Sequence, residues 1–286
     1  MDNLRGAALM TFAMLGFAIE DMCIKLMSGV LPTWQIVLFL SLGGASIFAA
    51  LLLRQGTPLF VREMLAWPIH LRNLAEIAAS LGFVTALSLS PISTASAILQ
   101  SAPLLVTMGA ALFLGEQVGW RRWSAVVIGF SGVLLILRPG TEAFEPASLF
   151  AVISVISLAL RDIATRKVPR GVTSLQISFL AFLVLAPTSL ILALVTRAPF
   201  VPPPPDTWAL IAIAVVLGVT GYYAIVAAMR IGDVGFVTPF RYFRLLFALV
   251  IGALVFGERP DLLMLAGAAL IIGSGLFTFW RERRIR

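Results

Sequence analysis

Apolar residues in this chain gather into long runs, and the polar residues between them are mostly turn formers or basic. Counting ~20 apolar residues per bilayer crossing, the pattern predicts an all-α integral membrane protein with ten transmembrane helices. They fall at roughly 7–27, 33–53, 72–90, 94–114, 120–137, 148–167, 173–195, 208–229, 236–256 and 261–280. The breaks carry turn chemistry: Ser28-Gly29, Pro32, Gln55 to Pro58, Ser90-Pro91, Gly115, Pro139-Gly140, Pro169 to Gly171, Pro199 to Pro205, Gly232 and Gly257. No stretch is left over for a separate soluble domain.

The basic residues orient the spans. With the N-terminus inside, fourteen of the 21 lysines and arginines fall on the cytoplasmic side, among them Arg54, Arg72, Arg121, Arg122, Arg166 and Lys167. Three, Arg138, Arg197 and Arg259, fall on the other side, and four lie within spans: Lys25, Arg161, Arg241 and Arg244. That asymmetry predicts an even number of crossings with both termini cytoplasmic.

An internal repeat organises the chain. A shift of 141 residues lays Asp21 on Asp162, Lys25 on Arg166, Gln35 on Gln176 and Ile36 on Ile177. A shift of 142 lays Leu114-Gly115-Glu116 on Phe256-Gly257-Glu258 and Ala86 on Ala228. The expected halves are 1–142 and 143–286, with five helices each. An odd number of crossings per copy makes the second copy enter the membrane from the opposite face, which is the inverted repeat of secondary transporters, with a binding site between the halves.

Composition narrows the function. Hydrophobic residues make up 60% of the 286 positions and charged residues 12%, too apolar for a soluble surface. The net charge of +7 is therefore a topology signal, and no nucleic-acid partner is expected. Cys23 is the one cysteine and His70 the one histidine, so neither a disulfide framework nor a cysteine metal site is available. The run after MDNLRG contains Glu20 and Asp21 and no small-residue cleavage site, and is read as a retained first span. No HExxH, DxxD, GxSxG or GxxxxGK[ST] motif occurs, so no catalytic centre, metal or cofactor is expected, and an ATP-driven pump is excluded.

The helix ends LGE (Leu114 to Glu116) and FGE (Phe256 to Glu258) are each followed by a glycine-rich closing span, Val127 to Val133 and Ile271 to Leu276. In these features the chain resembles the drug/metabolite transporter superfamily, specifically its ten-helix EamA-type permeases, over nearly its whole length. Ala18 to Lys25 and Pro239 to Tyr242 look like a bacterial branch near S-adenosylmethionine-uptake, riboflavin-type and amino-acid or metabolite permeases. The resemblance implies a multi-pass protein of the bacterial inner membrane. It also implies a central cavity lined mainly by the first, third, fourth, sixth, eighth and ninth helices, with the fifth and tenth peripheral.

The candidate chemistry lies in charges that the apolar runs enclose. Arg241 and Arg244 stand on one helix face, at ~9 and ~13 Å from the cytoplasmic end of the ninth span. A cation at a lipid-buried helix centre costs about 2.5–3.5 kcal/mol and is kept where the protein or a ligand answers it. Arg241 either snorkels or faces the substrate; Arg244 either forms a structural ion pair or meets a substrate anion. The equivalent first-half positions are Leu99 and Ala102, so the charge belongs to one copy only. Asp21 either pairs with Lys25 at i,i+4 or serves, with its neighbour Glu20, as a cation or proton site. Asp162 is expected to approach Arg241, and Glu76 either pairs locally with Arg72 or acts in a relay.

Gln100 with Tyr242, and Ser80 with Tyr222, occupy matched repeat positions, and Trp34 and Gln35 open the second span; these complete the expected substrate pocket. Belt anchoring is the alternative for Trp34 and the other tryptophans. Pro103 and Pro239 each remove a backbone donor inside a span and are candidate kinks. Gly115 and Gly257 are read as helix stops, and the small-residue faces of spans five and ten, such as Ala269 and Gly273, as a homodimer seam. Together these features predict a secondary transporter for a small polar or zwitterionic metabolite, driven by the substrate gradient or by proton coupling. A membrane-embedded lipid-modifying enzyme and a non-transporting scaffold are the alternatives.

Overall fold

The computed structural model describes residues 2–113, 119–231 and 234–285. The predicted stop at Leu114-Gly115-Glu116 and the break at Gly232 lie outside the described residues. Among the described residues every regular element is helical. The first three long helices are α1 (Asp2–Ser28), α2 (Thr33–Arg54) and α3 (Trp67–Leu89). The predicted fourth span is two pieces, α4 (Ile92–Leu99) and α5 (Ala102–Phe113). Then come α6 (Trp120–Leu137), α7 (Ser148–Thr165), α8 (Ser174–Thr196) and α9 (Pro205–Ile231). The predicted ninth span begins with the turn α10 (Val234–Val237) and a 3₁₀ segment, Thr238–Tyr242, before α11 (Phe243–Val255); α12 (Leu262–Ile285) closes the chain.

Among the described residues eight stretches are long and apolar enough to cross a membrane, with α4 and α5 counted as one and the 3₁₀ segment counted with α11. The two remaining long helices fall short for physical reasons. Helix α3 carries His70, Arg72, Asn73 and Glu76, and α12 has an apolar portion confined to Leu262–Thr278. Arg72 was expected in a cytoplasmic segment, but the helix starts at Trp67 with Pro68 in its first turn and takes Arg72 inside.

Both candidate prolines mark the broken spans. A helix continuing from Ile92 through Pro103 would drive the ring against the Leu99 carbonyl. The helix instead ends at Leu99, turns at Gln100-Ser101 and restarts with Pro103 at its second position. Pro239 likewise sits near the start of the 3₁₀ segment. At the far end of α11, Gly257 takes the left-handed conformation at φ 64°, as its helix-stop reading requires.

The helices pair in matched sets. Helix α1 packs on α9 and α3 on α7; α2 packs on α8, α6 on α12, and α4 on α11. Small residues permit a close approach between α6 and α12. A Cβ added at Gly132 would lie 2.5 Å from the Gly267 carbonyl oxygen, and one at Gly267 2.6 Å from the Gly132 oxygen. Ala269 and Gly273 face outward from this contact. At one end of the pair, Arg138 forms an ion pair with Asp261, whose carboxylate also accepts from the Met264 N–H at 2.8 Å and so caps α12. The Arg138 hydrogen bond, and then the Met264 N–H, hold this carboxyl below the usual carboxylate range. Its stabilising effect is present above the ordinary carboxylate pKa and fades as pH falls through the lowered one. The side chain is half exposed, so solvent keeps that effect small.

Since backbone, not a flexible side chain, faces Gly132, Gly132→Ala should destabilise the protein by about 1–3 kcal/mol in thermal unfolding in detergent. Gly273→Ala, with nothing within 4 Å, should leave the transition unchanged or raise it.

Candidate functional site

A cavity of about 550 Å³ lies between the helices. Its lining runs from Ile24 and Leu99, both buried, to Thr165 and Ser174, both exposed at helix ends. That exposed end is the mouth. Helices α6 and α12 contribute nothing to the lining, in keeping with the peripheral place expected of the fifth and tenth spans. Helices α2 and α8 contribute Leu40, Ser41, Ile177 and Phe182, so the second and seventh spans belong to the wall as well.

Four guanidiniums line the cavity: Arg72, Arg161, Arg241 and Arg244. So do four carboxylates: Glu20, Asp21, Glu76 and Asp162. Arg244 is held by Asp21, its Nε donating to Oδ2 at 3.0 Å and its Nη2 to Oδ1 at 2.8 Å. The guanidinium carbon lies 5.2 Å from the ring centres of both Phe17 and Phe83, so the cation is stacked as well as paired. Asp21 is 2% exposed. Of the two readings of Arg244, the structure contains the ion pair.

Deeper toward the mouth, Arg72 pairs with Glu76 at 3.3 Å, the local i,i+4 contact expected of Glu76. Arg161 reaches across from α7 to the same carboxylate at 3.5 Å. Arg161 also donates to Asp162 Oδ1 from Nε and Nη2, at 2.9 and 2.8 Å. Asp162 and Arg161 are the charges that act on Arg241, yet among the described residues no carboxylate comes within 4 Å of it. The expected approach of Asp162 to Arg241 therefore stops short of contact, because the neighbouring Arg161 claims the carboxylate. Glu20 makes no hydrogen bond or ion pair among the described residues. Its Oε1 lies 2.8 Å from where a Cβ would stand on Gly218 of α9.

The predicted pair of Asp21 with Lys25 is absent. Lys25 points to the closed end, where its Nζ donates to the Ser90 and Leu87 carbonyls at 2.6 and 3.3 Å. It also stands 4.0 Å from Glu258 and 5.4 Å from the centre of the Phe256 ring. Glu258 in turn caps α4. It accepts from the Ile92 and Ser93 amides at 2.7 and 3.1 Å and from the Ser93 hydroxyl at 2.5 Å. These bonds tie α1, α3, α4 and α11 together beyond the inner wall of the cavity.

Ser80, Tyr222 and Gln100 line the cavity as expected. Gln100 Nε2 donates to the Arg241 carbonyl at 3.1 Å, across the break between α4 and α5. Tyr242 lines it too, but its hydroxyl lodges in the space that a Cβ on Gly275 of α12 would fill, and has no hydrogen-bond partner among the described residues. Trp34 and Gln35 do not reach the cavity. Trp34 packs near Phe200, ring centres 6.3 Å apart, while Gln35 donates to the Val201 carbonyl at 2.6 Å and accepts from the Val201 N–H at 3.0 Å. The repeat-matched Gln176 behaves alike: it closes a capping box with Thr173 and donates to the Pro58 carbonyl at 2.8 Å. Each glutamine fastens a loop of the other half, so their match reflects loop anchoring. Tyr223 faces outward.

Sequence reasoning missed the capping role of Glu258 and the cavity positions of Arg72 and Arg161. Adjacency of Arg161 to Asp162 at one depth was the available signal for the latter.

The EamA-like transporter family matches this chain twice, over residues 4–138 and 146–280. The chain belongs to that family. A protein of Rickettsia bellii named S-adenosylmethionine uptake transporter is 30% identical over 75% of this chain and 72% of its own length. A riboflavin transporter of Rhizobium johnstonii is 32% identical over 74% and 71%. A pseudopaline exporter of Pseudomonas aeruginosa is 26% identical over 93% of each. A solved crystal structure superposes with a TM-score of 0.65 over 98% of both chains at 17% identity, a likeness of fold alone. This EamA chain is a multi-pass membrane transporter and not an enzyme.

The buried pair gives a direct test. Asp21→Asn should cost about 3–5 kcal/mol in detergent unfolding, because it leaves a guanidinium unanswered. The double variant Asp21→Leu with Arg244→Met should regain most of that loss, and a double-mutant cycle reads the coupling.

Proposed function

We propose that the protein is a secondary transporter carrying a small polar or zwitterionic metabolite across the bacterial inner membrane by alternating access. The observation that carries this reading is the asymmetry of the cavity. One end is open at Thr165 and Ser174, and the other is closed by the Glu258 cap on α4 and the Lys25 clamp on α3. A wet, charged chamber open at one end is one state of a carrier that must later open at the other.

Ten crossings complete the reading, with α3 and α12 taken as crossings and both termini cytoplasmic. The fourteen-to-three distribution of basic residues supports this orientation and places the mouth on the cytoplasmic side. The halves 1–142 and 143–286 are read as inverted copies. In support, the α1–α9 and α3–α7 pairings exchange when the halves are swapped, while the α2–α8 and α6–α12 pairings map onto themselves. The names of the relatives support a metabolite as cargo. Asp21 is the group through which flux would couple to protons, since a neutral carboxyl would no longer hold Arg244.

Reconstituted in proteoliposomes, the protein should move at least one of radiolabelled S-adenosylmethionine, an amino acid or riboflavin, and the product should be recovered chemically unaltered. Saturable flux above empty liposomes is the expected result, and its absence for all three sinks the reading.

The clamp makes a second prediction. In a Cys23→Ala background, Ser96→Cys should resist a membrane-impermeant maleimide added from the clamp side, because Ser96 is 1% exposed beneath the α4 cap. Adding Glu258→Gln should raise the labelling rate at least several-fold; an unchanged rate would mean that this end is not a gate.

A further inference from the structure

The eight charges described in the cavity are four of each sign, so the formal charge of the wall is zero. Three of the cations are committed: Arg244 to Asp21, Arg72 to Glu76, and Arg161 to Glu76 and Asp162. Three of the anions are committed by the same bonds. Among the described residues one group of each sign is left without a hydrogen bond or ion pair from its side chain, Arg241 and Glu20. The residues singled out first, Arg244 and Asp21, answer each other and offer a ligand little.

We infer that Glu20 and Arg241 are the two poles of a zwitterion site, Glu20 receiving the cationic group of the ligand and Arg241 its carboxylate. The inference rests on the transporter reading and specifies its cargo. Both side chains line the same cavity, each beside one member of the Asp21–Arg244 pair. Glu20 adjoins Asp21 on α1, while Arg241 stands three residues before Arg244, ~5 Å nearer the mouth. A planar guanidinium takes a carboxylate by two parallel hydrogen bonds. A lone carboxylate away from bulk water is in turn answered best by a cation.

Local packing prepares both poles. The Glu20 carboxylate rests in the notch left by Gly218, and Phe17, one turn away, lies along α9 at Gly221 and supplies an apolar wall. The Gln100 amide holds the Arg241 main chain at the helix break. A ligand with one pole would leave the opposite wall charge unmet, and a neutral ligand would leave both. A zwitterion, or the amino-acid end of a larger ligand, leaves neither.

Binding is measured on the purified full-length protein with three probes: S-adenosylmethionine, its decarboxylated analogue and riboflavin. Glu20→Gln should weaken the first two at least tenfold, because both are cationic, and leave riboflavin unchanged. Arg241→Gln should weaken S-adenosylmethionine at least tenfold and the decarboxylated analogue less than twofold. Gly218→Ala, which crowds the Glu20 tip without touching its charge, should reproduce the Glu20→Gln selectivity in smaller degree. The assignment is overturned if Glu20→Gln leaves both cationic probes unaffected, if Arg241→Gln weakens both equally, or if wild-type protein binds riboflavin alone. In that last case flux of riboflavin would leave the transporter reading standing, whereas no flux of any probe would remove the transporter reading itself.

Discussion

A guanidinium placed in the interior of an apolar bundle must be answered there, and most of this structure follows from how Arg244 is answered. Its partner Asp21 comes from the first helix, and the two rings it stacks against come from the first and third, so one side chain of α11 ties three helices together. Two opposite charges with two-point hydrogen bonding offset much of the desolvation that either would suffer alone. The geometry is demanding. It holds α11 in one rotation about its axis, and with it the direction in which Arg241 enters the cavity.

The remaining charges obey the same constraint at lower stringency. Glu76 serves two arginines, Arg72 and Arg161, on two helices that pack side by side, and Arg161 shares itself with its own neighbour Asp162. Such sharing makes α3 polar enough to fall short of the apolar spans, yet it is what lets α3 and α7 form a charged wall. At the closed end the logic is that of helix termini. Glu258 meets the free amides of α4, and Lys25 meets the free carbonyls at the end of α3. Among the described residues, charged side chains therefore gather at the cavity and at its plug.

Much of this was legible in the sequence. Apolar runs of bilayer length gave the helices, and the offsets of 141 for Asp21 and Gln35 and 142 for Gly115 from their partners marked the duplicated halves that the family match covers twice. Depth along a span is a one-dimensional quantity, so the residues that must avoid lipid, Glu20, Asp21, Asp162, Arg241 and Arg244, were found by counting. Partner choice is three-dimensional and was not. Lys25 sits four residues from Asp21, yet its long stem carries it the other way, to backbone carbonyls that no side-chain pattern announces. Gln35 and Trp34 failed for a related reason: a polar residue opening a span faces the loops as readily as the interior. The interruption of α4 was signalled by Pro103, but proline acts on the turn before it, which is why the break falls at Gln100-Ser101.

The two glutamine clasps have a bearing on ancestry. Gln35 in the first half grips the strand of chain ahead of α9, and Gln176 in the second grips the strand ahead of α3, so each half lends the other the same fastening. A single five-helix polypeptide meeting a second copy of itself would already hold both fastenings, made twice over by symmetry. Gene fusion would then have needed to add only the tether between α6 and α7, after which the two copies were free to diverge and one of them to carry Arg241 and Arg244 where the other has Leu99 and Ala102.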